Sequence, residues 1–399
     1  MILSALAACS EAPVELDLPE DSLLRRALAA GLKPIPEDPI YPTDNPYQPD
    51  RVELGHLLFF DPILSGPQNV ACSTCHLPRF AFGDGRQFPA GAGATGLGPD
   101  RTDPEPAPLR LMPRNSPPMF NLGIHGNMSP VPSESATMFW GAGAFGLEGQ
   151  VLGPIAAESE LRGVSYPRAV ALDSVIARLR ANDEYLDRFA DAYPRRVDNH
   201  GRDPSRLITQ TTLERAIAAY LRELLTPNAP IDRFLKGDEG ALSEREKAGL
   251  ELFIGDANCV SCHMGPELSD FSMHVLGTRQ EGLGRDTTPG DDLGWGEHGG
   301  TPYAFRTAPL RQVAESAPYF HAGTAETLRD VLEFKNQGLS RYSRVTADML
   351  DPKVVPLELS DAEISDLIAF LGALTDTITI KGPLYLAPDR VPSGLKIPK

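Results

Sequence analysis

The chain has 399 residues, of which 41% are hydrophobic and 23% charged, a composition typical of neither disordered nor membrane-embedded chains. At roughly 100–200 residues per domain, this length predicts two or three domains. The formal net charge is −17, and no basic cluster occurs, which argues against binding to nucleic acid or to anionic lipid head groups. No apolar run reaches the roughly 18 residues that a membrane-spanning helix needs.

Amphipathic periodicity predicts helices along the chain, separated by connections rich in its 36 glycines and 38 prolines. Three of the helices begin with a capping-box signature or a similar one, in which an acidic residue follows a hydroxyl residue by three positions. No alternating strand pattern of useful length occurs, and so the predicted fold class is mainly α with long Gly/Pro-rich loops. The predicted helices span residues 21–31, 51–60, 169–181 and 213–224, and others begin at Ser243, Thr327 and Ser360.

Four of the five cysteines lie in two Cys-x-x-Cys-His pentads, which are the attachment signature of c-type haem. Two thiols about one turn apart form thioethers with the haem, and the adjoining histidine becomes the proximal iron ligand. A zinc site would leave both histidines unexplained, and a thioredoxin-like site would need a βαβ setting that is absent. The sequence therefore predicts two cytochrome-c-like domains, each with one covalently bound haem. The pentads are formed by Cys72, Cys75 and His76 and by Cys259, Cys262 and His263.

The spacing of the pentads predicts an N-terminal haem domain over residues 21–232 and a C-terminal one over 233–399. We expect the tail after residue 375 to pack back on the first domain. Residues 1–20 are interpreted as a leader and tether, because Cys9 follows Leu-Ala-Ala as in a bacterial lipobox. The alternative is an ordinary cysteine in the N-terminal segment. Covalent haem attachment in bacteria takes place outside the cytoplasm, and so the expected location is periplasmic or exported, with a lipid on Cys9 as the tether.

Seven further motifs carry a resemblance to a known family. They are LGHLLFFDP at 54–62, AFGDG at 81–85, RNSP at 114–117, MFWG at 138–141, the run 150–162, FRTAPLR at 305–311 and APYFH at 317–321. In this order the chain resembles the bacterial diheme cytochrome c peroxidases and their MauG-like relatives over nearly its whole length.

The resemblance implies reduction of hydrogen peroxide to water at the N-terminal haem. Electrons would come from a small redox protein, a cytochrome c or a cupredoxin, through the C-terminal haem. One alternative is a MauG-like oxidase that modifies a side chain of a protein substrate. Another is a non-catalytic diheme electron carrier, which needs two six-coordinate irons rather than one open iron face beneath an acid–base group.

The resemblance also implies residue roles. Glu160 and Gln150 match the family's distal pair, in which the carboxylate moves a proton between the peroxide oxygens and the amide orients it. Pro154 matches a proline that walls the same pocket, and Trp140 matches the tryptophan between the haems, an electron relay. The simpler interpretations are a solvated acid for Glu160 and core packing for Trp140.

A calcium ion between the domains is implied as well. Asn115 would bind it through its side-chain oxygen, and Ser316 and Pro318 through their backbone carbonyls. Hard oxygen donors of this kind, together with waters, suit Ca²⁺.

Two departures from the family pattern matter. No histidine occurs between His76 and His125, whereas relatives that need reductive activation carry one on this loop. We therefore expect an N-terminal iron that is open without activation, as in MauG-like proteins. The position that matches the family's Met or Tyr above the second iron is Lys335, which can ligate iron only as a neutral amine in a buried site. Met349, reached by a different loop path, is the alternative ligand.

Overall fold

The computed structural model describes residues 19, 21–102, 111–125, 136–194, 203–280 and 292–398. Within these ranges the chain forms helices linked by long loops, and four strands of two or three residues, which confirms the mainly α class. Across the same ranges no helix is both long and apolar enough to cross a bilayer. The helices are α1 (Leu23–Ala29), α2 (Pro49–Phe60), α3 (Gly146–Ala156), α4 (Ala171–Arg180), α5 (Asp183–Ala192), α6 (Gln210–Arg222), α7 (Pro230–Leu235), α8 (Glu244–Ile254), α9 (Leu328–Gln337) and α10 (Asp361–Gly372).

The capping signatures mark helix starts as predicted. Ser243, Thr327 and Ser360 are the N-caps of α8, α9 and α10, and in each case the acidic residue three positions on completes the box. Three helices, α3, α5 and α7, were not predicted. Helix α3 contains Pro154 and several glycines, so its apolar periodicity is weak.

The first apolar core forms around α2 and α6, which cross at Gly55. A Cβ placed on Gly55 would lie 2.0 Å from the carbonyl oxygen of Ala216, and so only glycine allows the two backbones to approach this closely. The chain's tail joins this core through Tyr385, Val391 and Ile397.

The second core repeats this arrangement with α8 and α10, which cross at Gly249. A Cβ there would lie 2.0 Å from the carbonyl oxygen of Asp366. Helix α1 also packs here, with Leu24 and Ala27 buried beside α8. The domain ranges given by the sequence stay a prediction. The apolar cores differ from these ranges at α1, which lies with the second core, while the tail lies with the first.

Two short antiparallel ladders lie beside the junction of the cores. Strand β1 (Thr137–Met138) pairs with β2 (Ala144–Phe145), and β3 (Met273–Val275) pairs with β4 (Ala304–Arg306). The backbone N–H of Arg306, at the end of β4, donates to the carbonyl of Trp140 at 2.9 Å. The ladders thus bring a segment from each half of the sequence into direct contact.

Candidate haem sites and the distal carboxylate

The first pentad begins with a single 3₁₀ turn, Cys72–Thr74. The turn is closed by the N–H of His76, which donates to the carbonyl of Cys72 at 3.0 Å. Both thiols are free and half-buried. Burial raises the pKa of Cys72 to about 12 and that of Cys75 further still, and so both cysteines remain thiols at neutral pH.

His76 is oriented by one strong hydrogen bond. Its Nδ1–H donates to the carbonyl of Phe82 at 2.6 Å, and Phe82 has a left-handed backbone with φ of 60°. Burial lowers the pKa of His76 to about 4, so the ring is neutral. A proton on Nδ1 leaves Nε2 as the free lone pair, and this is the tautomer that a proximal iron ligand requires.

The second pentad repeats this geometry. It begins with the 3₁₀ turn Cys259–Ser261, and the Nδ1–H of His263 donates to the carbonyl of Leu268 at 2.9 Å. Leu268 is also left-handed, with φ of 53°, and burial lowers the pKa of His263 to about 4.

Both constellations fit a c-type haem. Each offers two free thiols one turn apart and a neutral histidine whose second nitrogen is held by a backbone carbonyl. The cysteine and histidine residues predicted from the sequence are thus brought together as two equivalent sites.

Glu160 lies in the turn Glu158–Arg162, where its own backbone departs from helical geometry. Its carbonyl accepts a hydrogen bond at 2.6 Å from the N–H of Ala92, on the loop that follows the first pentad. Burial raises the pKa of the Glu160 carboxyl to about 7. Burial is the largest cause of the raised pKa of Cys72 and of Cys75, and the charge of Glu160 is a further cause in both. The carboxylate therefore lies near both thiols.

This carboxylate is unusual in having no partner. Among the residues that the structure describes, none hydrogen bonds to it, and burial is the one cause of its raised pKa. Its neighbour Glu158 differs, because it pairs with Arg162 at 2.9 Å. A half-buried, unpaired carboxyl with a pKa near 7 can both accept and return a proton at neutral pH.

Gln150 and Pro154 lie on α3, which directly precedes the Glu158–Arg162 turn. They are four positions apart and so share one helix face, and both are half-buried. Helix α3 ends just after Pro154, whose carbonyl accepts from the N–H of Ala157 at 3.3 Å. The predicted distal residues therefore belong to one continuous helix–turn unit.

Trp140 lies at the junction of the two cores. Its Nε1–H donates to the carbonyl of Asn115 at 2.9 Å, and its own carbonyl accepts from Arg306. The N–H of Asn115 in turn donates to the carbonyl of His321 at 2.7 Å. Trp140 is thereby held by segments that follow each pentad, and its role as an electron relay stays a prediction.

Sequence reasoning missed a buried polar network beside Trp140. Arg306 donates from Nη1 to Nε2 of His125 at 2.7 Å, and Nδ1 of His125 lies 3.3 Å from Oε1 of Glu267. Burial lowers the pKa of His125, and it lowers that of Arg306 to about 10, so His125 is a neutral bridge between Glu267 and a charged Arg306. These residues are far apart in the chain, and no local motif could have revealed the network.

The predicted calcium ligands each lie in a well-defined local setting. The Asn115 side chain donates from Nδ2 to the carbonyl of Arg86 at 2.7 Å, which leaves Oδ1 available. The Ser316 hydroxyl donates to the carbonyl of Val313 at 3.1 Å. Pro318 follows a cis peptide bond. The calcium ion stays a prediction.

The two candidates for the second distal ligand lie in different surroundings. Met349 packs against the small cluster of Val275, Ala304 and Val345. Lys335 lies on α9. Burial is the largest cause of the shifted pKa of Cys259 and of His263, and the charge of Lys335 acts to lower both pKa values. Cys9 lies outside the described residues.

Two like modules, each with a thiol pair and an oriented neutral histidine, define a protein built to carry two c-type haems. A model of the family described as di-haem cytochrome c peroxidase matches residues 49–240. The methylamine utilization protein MauG of Methylorubrum extorquens is 32% identical over 345 residues, covering 85% of this chain and 82% of that protein. The cytochrome c551 peroxidase of Pseudomonas aeruginosa is 29% identical, covering 90% and 88%.

A solved structure of a MauG-like protein associated with microbial copper homeostasis is also similar. It has a TM-score of 0.72 and 28% identity, and the match covers 94% of this chain and 99% of that one. The diheme peroxidase BthA from Burkholderia thailandensis, at 22% identity and a TM-score of 0.64, shares the fold.

The chain belongs to the di-haem cytochrome c peroxidase and MauG family, which confirms the resemblance seen in the sequence. Its members are oxidoreductases with two haem cofactors, and this protein is an enzyme of that kind.

Proposed function

We propose that the protein reduces hydrogen peroxide to water at the N-terminal haem, with electrons that enter through the C-terminal haem. The observation that carries the proposal is Glu160, an unpaired carboxyl whose pKa burial raises to about 7 beside the first pentad. A diheme electron carrier has no use for such a group, whereas cleavage of peroxide needs a proton acceptor that can return the proton.

The bound haem supplies the iron and its redox chemistry. The residues of the chain supply the proton chemistry. Glu160 takes the proton from one peroxide oxygen and returns it to the other, so that the O–O bond breaks with water as the leaving group. Gln150 orients the peroxide by hydrogen bonding, and Pro154 walls the pocket. Each peroxide consumes two electrons and two further protons and yields two waters.

In this proposal the electrons come from a small redox protein, a cytochrome c or a cupredoxin, and pass by way of Trp140. The contacts of Trp140 with Asn115 and Arg306 support this path. No histidine lies between His76 and His125, so we propose that the N-terminal iron accepts peroxide without prior reduction. The proposal also includes export, a lipid on Cys9 and a calcium ion held by Asn115, Ser316 and Pro318.

A second candidate is oxidation of a side chain in a protein substrate. The relative of Methylorubrum extorquens that supports it is a methylamine utilization protein, at 32% identity. The same distal carboxyl would serve this reaction, and the two candidates differ in where the electrons come from: a redox protein in the first, the substrate itself in the second.

Substitution of Glu160 by Gln tests the shared step. Gln keeps the size of the side chain but cannot accept the proton, so we expect the reaction with peroxide to slow by about 10²–10⁴-fold. Stopped-flow absorbance of the haem band measures the rate, and a mass measurement verifies two haems per chain. Glu158→Gln is the matched control, because Glu158 lies two positions away and pairs with Arg162.

Reaction of Glu160→Gln at the parent rate would contradict the proposal and leave the electron carrier as the better account. If the reaction slows as expected, steady turnover with reduced cytochrome c or cupredoxin separates the candidates. Sustained oxidation of the donor supports the peroxidase. Peroxide consumption that requires a protein substrate instead supports the oxidase.

A further inference from the structure

The loop that follows the first pentad lies between the pentad and the turn that carries Glu160. On one side, the carbonyl oxygen of Ala90 lies 3.8 Å from Sγ of Cys75. On the other side, the N–H of Ala92 donates to the carbonyl of Glu160 at 2.6 Å. Residues 90–96 of this loop have the sequence AGAGATG, so the segment has no large side chain that could pack and hold it in place.

Gly91 brings this loop into backbone contact with the turn. A Cβ placed on Gly91 would lie 2.2 Å from the carbonyl oxygen of Ser159 and 2.3 Å from that of Glu160. Only glycine allows two backbones to approach this closely. The position of the Glu160 backbone therefore depends on where the loop is held.

A buried arginine, Arg101, holds the loop. Its side chain is only 5% exposed. It donates from Nε to the carbonyl of Ala90 at 2.6 Å and from Nη2 to that of Gly91 at 2.7 Å. The remaining nitrogen, Nη1, donates to the carbonyl of Gly96 at 2.6 Å. The planar guanidinium presents its donors in fixed directions, and so one side chain binds three carbonyls of the loop at once.

The partners of Arg101 differ from those of the other buried arginines near the junction. Arg114 pairs with Asp292 at 2.6 Å, and Arg311 pairs with Asp232 at 2.9 Å. In the described part of the chain Arg101 forms no such ion pair, and its hydrogen bonds go to backbone carbonyls. Burial of a charge is costly unless the charge is well hydrogen-bonded. The cost is offset only while the loop keeps the one conformation that offers all three carbonyls.

We propose that Arg101 is a positioning residue for the distal carboxyl: it holds residues 90–96 against the Glu158–Arg162 turn and so keeps the Glu160 side chain buried beside the first pentad. The inference deepens the proton transfer proposed above, and its catalytic consequence rests on that proposal. Arg101 acts through the backbone of the loop and not by its charge, since burial is the one cause of the raised pKa of Glu160.

The other charged groups around Glu160 do not provide this support. On its own turn, Glu158 and Arg162 pair with each other at 2.9 Å. The two thiols of the first pentad become uncharged thioethers once haem is attached. A change in the pKa of Glu160 after substitution of Arg101 would therefore report a change in the burial of the carboxyl.

Arg101→Lys tests the proposal in the protein with both haems attached. Lysine keeps the charge, but its single ammonium group cannot reach three carbonyls in different directions. We expect faster amide hydrogen exchange in the 90–96 loop and in the Glu158–Arg162 turn, measured by mass spectrometry of their peptides. Infrared titration, with Glu160→Gln as the reference that identifies the carboxyl band, should show the pKa of Glu160 lowered from about 7 toward its ordinary value. The reaction with peroxide should slow by about 10–10²-fold.

Gly91→Ala is a second variant that disturbs the same contact and leaves Arg101 intact. Its Cβ would push the loop away from the turn, and so the same three changes are expected. Thr102→Val is the control on the same loop, because it removes only the exposed hydroxyl contact with Thr95 at 2.8 Å. Gly153→Ala is the control for an added Cβ, which meets no atom within 4 Å there. Both controls should leave hydrogen exchange of the turn, the pKa of Glu160 and the rate unchanged.

Unchanged hydrogen exchange of the turn, or an unchanged pKa of Glu160, in either Arg101→Lys or Gly91→Ala would overturn the proposal. Equal changes in Thr102→Val would also overturn it, because any loosening of the loop would then have the same effect.

These outcomes are distinguishable from failure of the proposed function, because hydrogen exchange and infrared titration need no peroxide turnover. If both change as expected while Glu160→Gln reacts at the parent rate, the positioning role of Arg101 stands and the catalytic proposal falls. If neither changes while Glu160→Gln slows the reaction, only the positioning role falls.

Discussion

The two halves of the molecule share the geometry of their helix crossings and of their Cys-x-x-Cys-His pentads, and they differ in the ionisable side chain that lies near each pentad. Each half crosses two helices at a glycine, at Gly55 and at Gly249. Each orients its proximal histidine through Nδ1 onto the carbonyl of a left-handed residue. Near the first pentad lies the carboxyl of Glu160, and near the second lies Lys335, whose charge affects the pKa of Cys259 and of His263.

The two pentads have equivalent geometry, and they differ in the ionisable side chains near them. A carboxyl with a pKa near 7 exchanges protons at neutral pH, whereas burial of a lysine favours its neutral form. Burial acts on both groups, raising the pKa of the acid and lowering that of the base.

The largest effect on stability is expected where the halves join. Glu267→Gln removes the negative end of the buried network with His125 and leaves Arg306 without a compensating charge, so the free energy of unfolding should fall by about 3–5 kcal/mol. Urea denaturation of the two-haem protein measures this loss. If the two halves unfold in separate transitions in Glu267→Gln but together in the parent, the network couples them.

Glu251→Gln is the matched control for Glu267→Gln. The pair of Glu251 with Arg26 also links distant segments, but its side chains are 52% and 46% exposed. Its loss should cost only about 0–1 kcal/mol. Equal effects of the two substitutions would mean that the buried network does not join the halves.

The glycine crossings test whether the halves are structurally equivalent. Gly55→Ala and Gly249→Ala each place a Cβ 2.0 Å from a carbonyl oxygen, so each should lower the free energy of unfolding by about 1–3 kcal/mol. Gly149→Ala and Gly372→Ala, where the added Cβ meets no atom within 4 Å, should be neutral or stabilise by up to about 1 kcal/mol. A large effect at only one crossing would break the equivalence. Thermal melts of the four variants decide this.

The smallest expected effect is the change with pH in the rate of reaction with peroxide, which tests the carboxyl near the first pentad. Glu160 accepts a proton only when it is ionised, and its pKa is raised to about 7. The rate of reaction with peroxide should therefore be constant well above this pH and fall by about tenfold per pH unit below it. The measurement is a stopped-flow pH series on the parent and on Glu160→Gln, whose residual rate should not follow the same curve. A parent rate that is independent of pH through 7 would assign the proton transfer to another group.

Much of the candidate site could be predicted from the sequence because its parts are local. The pentads place two thiols and a histidine within one turn, and the capping signatures at Ser243, Thr327 and Ser360 mark real helix starts. Helix α5 could also have been found, since Tyr185, Phe189 and Ala192 follow a helical spacing. These features depend on neighbours within about four positions, which the sequence lists directly.

Only the tertiary structure decided the rest, because it depends on which distant segments bury one another. Helix α1 packs in the core formed by the second half of the sequence, and no periodicity specifies a partner. The network of Glu267, His125 and Arg306 joins residues on three separate segments. The raised pKa of Glu160 is a consequence of burial, and burial of a carboxyl in a polar run of sequence follows from packing, not from the run itself.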